Sequence, residues 1–250
     1  MPADAAHLAL LATLVLVAAA LYSSVGHAGA SGYLAAMALV GVAPAAMKPM
    51  ALVMNVVVAT VGTLRFASAG LIPRRLVVPL CVGSVPAAIA GGSVVLAAHV
   101  YQPLLGAILL VAAWRLWSPT HGDAREEPPA APWLTGIGAG LGFLAGVTGV
   151  GGGIFLSPLV ILAGWEEPRR AAGLSAVFIL VNSLAGLLGH LSAGRHVPLA
   201  TLPLALVALA GGLYGSWLGA RRLPPLVLRR LLAAVLVVAG GKLVLAAVGS

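Results

Sequence analysis

Four glycines and a proline interrupt an apolar run: Gly149, Gly151, Gly152 and Gly153, then Pro158, in the stretch GVGGGIFLSP. Glycine and proline are poor helix-interior residues, so the passage predicts a helix break at membrane depth. A half-helix restarting at Gly152 or Gly153 would present unpaired N–H groups and the positive end of its dipole, which is chemistry for an anion. Glycine lets a ligand approach the backbone closely, and Pro158 falls early enough in the new helix to cost little. Glycines also serve close helix packing in membranes. A second cluster at a related position, Gly26, Gly29 and Gly32 in SSVGHAGASGYLA, favours a site over packing alone. The candidate backbone donors are therefore Gly29, Ala30 and Ser31 in the first cluster, and Gly149, Gly151, Gly152 and Gly153 in the second.

Side chains near these clusters extend the list. Asn55 and Asn182 lie inside apolar runs and are expected to face the protein interior. There an amide either donates to an oxyanion or bonds a neighbouring helix. The hydroxyls of Ser31 and Ser157 are further donors. His27 and His190 stand beside the glycine and asparagine features; a packed, hydrogen-bonded histidine is the plainer reading and a ligand contact the sharper one. Lys48 and Arg65 flank the second apolar run and read as snorkelling interfacial charges. The six carboxylates, Asp4, Asp123, Glu126, Glu127, Glu166 and Glu167, all lie at the N-terminus or in expected loops. None is left in the apolar runs to hold a cation or relay a proton, which disfavours cation substrates. No metal site and no cofactor is expected, and the single Cys81 excludes a disulfide framework.

These residues need elements to carry them. The chain of 250 residues is 61% hydrophobic and 8% charged, with mean hydropathy +1.08, against about 25% charged in a soluble domain. Apolar runs fall at residues 5–43, 48–66, 75–98, 101–117, 133–164, 170–191, 198–219 and 228–248, most of them long enough for the roughly 20 helical residues a bilayer requires. The fold class expected is an all-α polytopic membrane protein of 8–10 transmembrane helices. The N-terminal run lacks a basic leader and reads as a retained first helix. The net charge of +8 comes from arginines between apolar runs, so a lipid bilayer and not a nucleic acid is the expected partner.

The chain matches itself at a shift of about 123 to 127 residues. The glycine clusters correspond, Asn55 and Gly62 answer to Asn182 and Gly189, and Pro73 and Pro79 to Pro198 and Pro203. Residues 1–117 and 133–250 are thus read as two repeats of about five helical segments, joined by a cytoplasmic, proline-rich linker at 118–132. If residues 133–164 return to the side they entered, one side holds Arg65, Arg74, Arg75, Arg115, Arg125, Arg169, Arg170, Arg221, Arg222, Arg229 and Arg230. The other side holds Lys48, Arg195 and Lys242. A single crossing there would divide the charges evenly. The positive-inside rule selects the first arrangement, and with it an inverted second repeat. Both 5–43 and 133–164 are then broken near their glycines, where irregular backbone must be buried or line a cavity.

An intramembrane serine protease is the rival reading. GASG, residues 29–32, spells the Gly-x-Ser-Gly of the rhomboid family, with Ser31 as nucleophile and His190 as base. The match is four residues in a Gly/Ala-rich chain, and LGHLSAG fits the histidine pattern only in part.

The motif GVGGGIFLSPLVIL, the duplicated halves and the asparagine in the following helix resemble the sulfite exporter TauE/SafE family of permeases, also grouped as toluene-sulfonate uptake permeases. The resemblance spans nearly the whole chain. It implies passage of a small sulfur-containing anion (sulfite, sulfoacetate or another sulfonate, thiosulfate) across the bacterial inner membrane, by alternating access. The family's glycine motif falls on Gly149, Gly151, Gly152, Gly153 and Pro158. The first copy departs from it, with Ala28, Ala30 and Ala35 where two glycines and the proline would stand. Proton and sodium coupling both fit the sequence, as do import and export and any oligomeric state.

Overall fold

In the computed structural model, residues 5–24, 27–117, 126–219 and 225–248 are described. Gly26 and most of the linker, including Asp123 and Arg125, lie outside them, as do Asp4, Arg221 and Arg222. Ten helices carry the described chain: α1 (Ala5–Ser24), α2 (Ala30–Val40), α3 (Pro44–Ser68), α4 (Arg74–Ser93), α5 (Ala98–Trp117), α6 (Ala131–Thr148), α7 (Gly153–Leu162), α8 (Pro168–Ser192), α9 (Thr201–Gly219) and α10 (Pro225–Val248). No strand occurs among the described residues. The polytopic α-helical expectation holds: α1, α3, α4, α6 and α8 are each long and apolar enough to cross a bilayer.

Two helices are short for a stated reason. α7 has 10 residues and α2 has 11, about 15 and 17 Å, roughly half a hydrocarbon core. α6 is ended by Gly149 at φ +82°, and α7 is opened by Gly152 at φ +77°. Gly29 opens α2 at φ +99°. Only glycine takes this left-handed backbone without cost, so the clusters dictate the breaks. Proline then starts the next long helices: Pro44 and Pro168 occupy the first turns of α3 and α8, both 25 residues long. One expectation shifts. Gly32 lies inside α2 and not in the break, and a Cβ there would stand 2.8 Å from the Ala18 Cβ. It is a packing glycine that lets α2 fold back on α1.

The helices associate through small residues, as expected where lipid is as apolar as the protein interior. α6 lies along α4 with Gly138 on Leu80, Gly142 on Ser84 and Gly146 on Ala88; a Cβ at any of the three would be 2.1–2.3 Å from a backbone oxygen of α4. α9 lies along α1 in the same parallel sense, Gly211 against Leu16 and Gly215 against Ala20. α3 meets α8 antiparallel, Gly62 facing Ala176 and Leu52 facing Gly186. α5 meets α10 antiparallel, with Gly106 on Val244 and Arg230 over the Trp117 ring at 5.8 Å.

The ends of the bundle differ in charge. At one end Glu166 is flanked by Arg75 at 3.3 Å and Arg170 at 2.9 Å, with Trp117 and Trp133 exposed in the manner of an interfacial aromatic belt. At the other end basic side chains cap helix C-termini, where carbonyls lack partners. Lys48 Nζ donates to the carbonyls of Gly92 (2.9 Å) and Val94 (2.8 Å), and Arg195 donates to that of Ser93 (2.9 Å). Lys242 Nζ does the same for Ala38 and Leu39 at the end of α2, both at 3.0 Å. Lys48 is thus buried and spoken for, where snorkelling to the interface was expected.

Candidate functional site

Two cavities enter the bundle from opposite ends. The wider, about 550 Å³, has Arg65, Arg169 and Pro168 toward the arginine-rich end, and His27, Ala28, Val58 and Ala176 deeper in. The narrower, about 250 Å³, is lined by Lys48, His190 and Arg195 together with Tyr101 and Val147. Along α3, Val58 borders one and Lys48 the other, ten residues or about 15 Å apart. Asn55 lies between them, and so does the broken backbone that packs against it.

That central barrier is polar at its heart. The Asn55 amide nitrogen donates to the Gly149 carbonyl at 3.3 Å, while its Oδ1 is buried without a partner. A Cβ on Gly151 would stand 3.0 Å from Ile179 Cγ2, 3.1 Å from Asn55 Nδ2 and 3.2 Å from Ser183 Oγ, so the glycine lets the broken backbone pack closely against these groups. Ser183 is fully buried and its hydroxyl has no partner. Beside it begins α7, whose Gly152 N-cap offers no side chain to its first-turn N–H groups. Phe155 and Leu156 N–H bond the Gly152 carbonyl; the N–H groups of Gly152, Gly153 and Ile154 come before the first such bond. Asn182, also buried, spends its amide nitrogen on the Phe178 carbonyl of its own helix at 2.8 Å, and its Oδ1 is unpartnered.

A second polar group adjoins the first. His27 Nε2 lies 3.0 Å from Ser157 Oγ, which is 2.6 Å from Ser175 Oγ; the Ser175 hydroxyl reaches the Gly153 carbonyl at 3.5 Å. The chain of contacts joins the break of the first half to the broken helix of the second.

The first cluster is built differently. A Cβ on Gly29 would meet the Tyr33 ring and its hydroxyl at 2.9 Å, and that hydroxyl donates to the Ala28 carbonyl at 2.5 Å. Tyr33 covers the start of α2, while the equivalent position of α7 is Leu156. Ala30 is buried beside it, and Ser31 donates to the Tyr22 hydroxyl at 2.7 Å. His190 sits at the narrower cavity, its Nε2 3.4 Å from the His196 carbonyl. Ser31 and His190 therefore have separate partners, and neither is bonded to the other.

Sequence reasoning missed Ser183 and Ser175, and also the tyrosine pair Tyr22 and Tyr33. Ser175, Phe178, Ile179, Asn182 and Ser183 recur at helical spacing along the face of α8 toward the break. That periodicity was present in the sequence and would have found both serines once Asn182 was placed.

The comparisons with known proteins agree with this architecture. The family model described as Sulfite exporter TauE/SafE matches residues 11–243. The chain is 40% identical over 240 residues to Probable membrane transporter protein y4hK of Sinorhizobium fredii, covering 93% of this chain and 96% of that one. It is 28% identical over 151 residues to Probable membrane transporter protein MJ0441 of Methanocaldococcus jannaschii, 56% of each chain. Probable membrane transporter protein YunE of Bacillus subtilis is 30% identical over 105 residues, 40% of this chain and 37% of that one. No solved structure matches. With a family match over nearly its whole length and a bundle of apolar helices around a broken, glycine-lined centre, the chain belongs to the sulfite exporter TauE/SafE family of membrane transporters.

Proposed function

We propose that this protein carries a small sulfur-containing anion (sulfite, thiosulfate, sulfoacetate or another sulfonate) across the bacterial inner membrane by alternating access. The anion binds at the start of α7, to the N–H groups of Gly152, Gly153 and Ile154, the Ser183 hydroxyl and the second amide proton of Asn55. The observation that carries this reading is the fully buried, unpartnered Ser183 hydroxyl beside the Gly151 backbone and the Asn55 amide. An orphaned donor in a dry interior is costly unless a ligand takes it up. Basic groups line both routes inward, Arg65 and Arg169 on one, Lys48 and Arg195 on the other, and would concentrate anions at either mouth. Residues 1–117 and 133–250 act as inverted repeats joined by a cytoplasmic linker at 118–132. The exchange of partners supports this: α4 on α6 answers to α9 on α1, and the equivalent helices α3 and α8 run antiparallel, as do α5 and α10. Tyr33 leaves the first repeat without an equivalent anion seat, so one site serves both cavities. No contact of Ser31 or His190 favours a protease.

The test is thermal stability of the detergent-purified protein against sulfite, thiosulfate, sulfoacetate, taurine and matched carboxylates. A ligand that binds only the folded state raises its melting temperature with concentration. Stabilisation by one or more sulfur oxyanions, lost in Gly152→Leu, is the expected result. Equal stabilisation by carboxylates, or none by any anion, would remove the reading.

A further inference from the structure

The contact of His27 with Ser157 has a role the anion site does not use. We propose that His27 is the proton-binding residue of the transporter, and that its protonation is passed to the start of α7 through Ser157 and Ser175. The inference rests on the anion-carrier reading above and names its coupling ion.

Four observations lead there. First, His27 borders the wider cavity, so water from the arginine-rich end reaches it. Second, among the described residues the four glutamates, 126, 127, 166 and 167, all lie outside the helices. Histidine is the side chain whose ordinary titration lies nearest neutral pH, which suits it to carry a proton through the bundle. His190, which is buried, belongs to the opposite cavity, while His27 is half-buried. Third, among the described residues that line this cavity the charged side chains are Arg65 from α3 and Arg169 from α8, and the Tyr22 carbonyl of α1 accepts the His27 backbone N–H. Fourth, the Nε2–Ser157–Ser175–Gly153 line crosses from the first half to the second and ends on the first turn of α7.

The chemistry is a reversal of hydrogen-bond direction. When Nε2 carries a proton, His27 donates to Ser157, Ser157 to Ser175, and Ser175 to the Gly153 carbonyl. When Nε2 is bare and the proton sits on Nδ1, Ser157 donates to Nε2, Ser175 donates to Ser157, and the Gly153 carbonyl loses its side-chain partner. The Gly153 carbonyl shares its peptide group with the Ile154 N–H, one of the anion's donors, so the state of His27 is felt at the anion. One proton is taken from cavity water by the bare ring nitrogen and returned to water after the carrier has switched; no other bond changes. The imidazolium shares its cavity with two arginines, and an anion bound nearby offsets that accumulation of positive charge. Proton and anion therefore promote each other's binding, by reciprocal linkage.

The test reads affinity and flux separately. Thiosulfate and sulfoacetate are the probes, because neither changes charge near neutrality. In the wild type the apparent dissociation constant should tighten as pH falls from about 8 to 6, approaching tenfold per unit where one proton is linked. In His27→Gln it should be flat, and in Ser157→Ala the slope should shrink. In proteoliposomes loaded with a pH-sensitive dye, probe flux should move protons in the wild type and none in His27→Gln. An unchanged pH slope in His27→Gln overturns the assignment, even if that variant no longer transports. Wild-type anion flux without proton movement also overturns it while leaving the carrier reading intact. Absence of both binding and flux for every sulfur anion removes the carrier reading and this inference with it.

Discussion

Replacing Ser183 with alanine separates a ligand-binding hydroxyl from a structural one by the sign of its effect. The Ser183 hydroxyl is fully buried and makes no hydrogen bond within the protein. Leaving a buried polar group unpaired costs about 1–3 kcal/mol, so deleting the oxygen should stabilise the empty protein by up to that amount. With the anion bound, the same oxygen makes a charge-assisted hydrogen bond whose loss costs about 1.5–3 kcal/mol. That corresponds to an affinity weaker by about 10- to 150-fold. Ser183→Ala should therefore melt a few degrees higher than wild type without ligand and show little or no further rise with thiosulfate. Ser175→Ala is the matched control. Its hydroxyl is bonded to Ser157 at 2.6 Å, and its removal should lower stability by about 0.5–1.5 kcal/mol. The assay is a melting curve for each protein over a thiosulfate titration. A Ser183→Ala variant that melts lower than wild type and binds thiosulfate equally well would refute the placement of the anion.

Two further predictions concern the scaffold. Gly138→Ala places a methyl group 2.1 Å from the Leu80 carbonyl oxygen and should force α4 and α6 apart at a cost of about 1–3 kcal/mol. Gly136→Ala, on the same helix with nothing within 4 Å, should be neutral or raise stability by about 0.5–1 kcal/mol; paired melting curves check both. In a Cys81→Ser background, single cysteines at the exposed positions Ser68 and Glu167 should react with an impermeant thiol reagent from one face of the membrane, and those at Ala43 and Ser192 from the opposite face. Labelling of all four from a single face would exclude the inverted arrangement.

The sequence by itself determined the membrane class, the helix order and the position of both breaks. Each rests on local chemistry: long apolar runs must span or be buried, and a cluster such as Gly149, Gly151 and Gly152 specifies a left-handed backbone that few other residues tolerate. Arginine placement gave an expected sidedness, because the cost of moving charge across lipid is a property of the residue alone. Only the tertiary structure could decide what packs over each of the two similar clusters. Tyr33 of the same helix folds over Gly29, while Phe178 and Ile179 of α8 pack on Gly152 and Gly153, a difference of packing that matched spacing conceals. Likewise Asn55 and Asn182 look equivalent along the chain, yet one spans to the Gly149 carbonyl and the other turns back on its own helix. The line from His27 through Ser157 to Ser175 became visible only once α8 was laid against the break. Hydrogen-bond partners more than a hundred residues apart are set by helix crossings, and no local pattern encodes those.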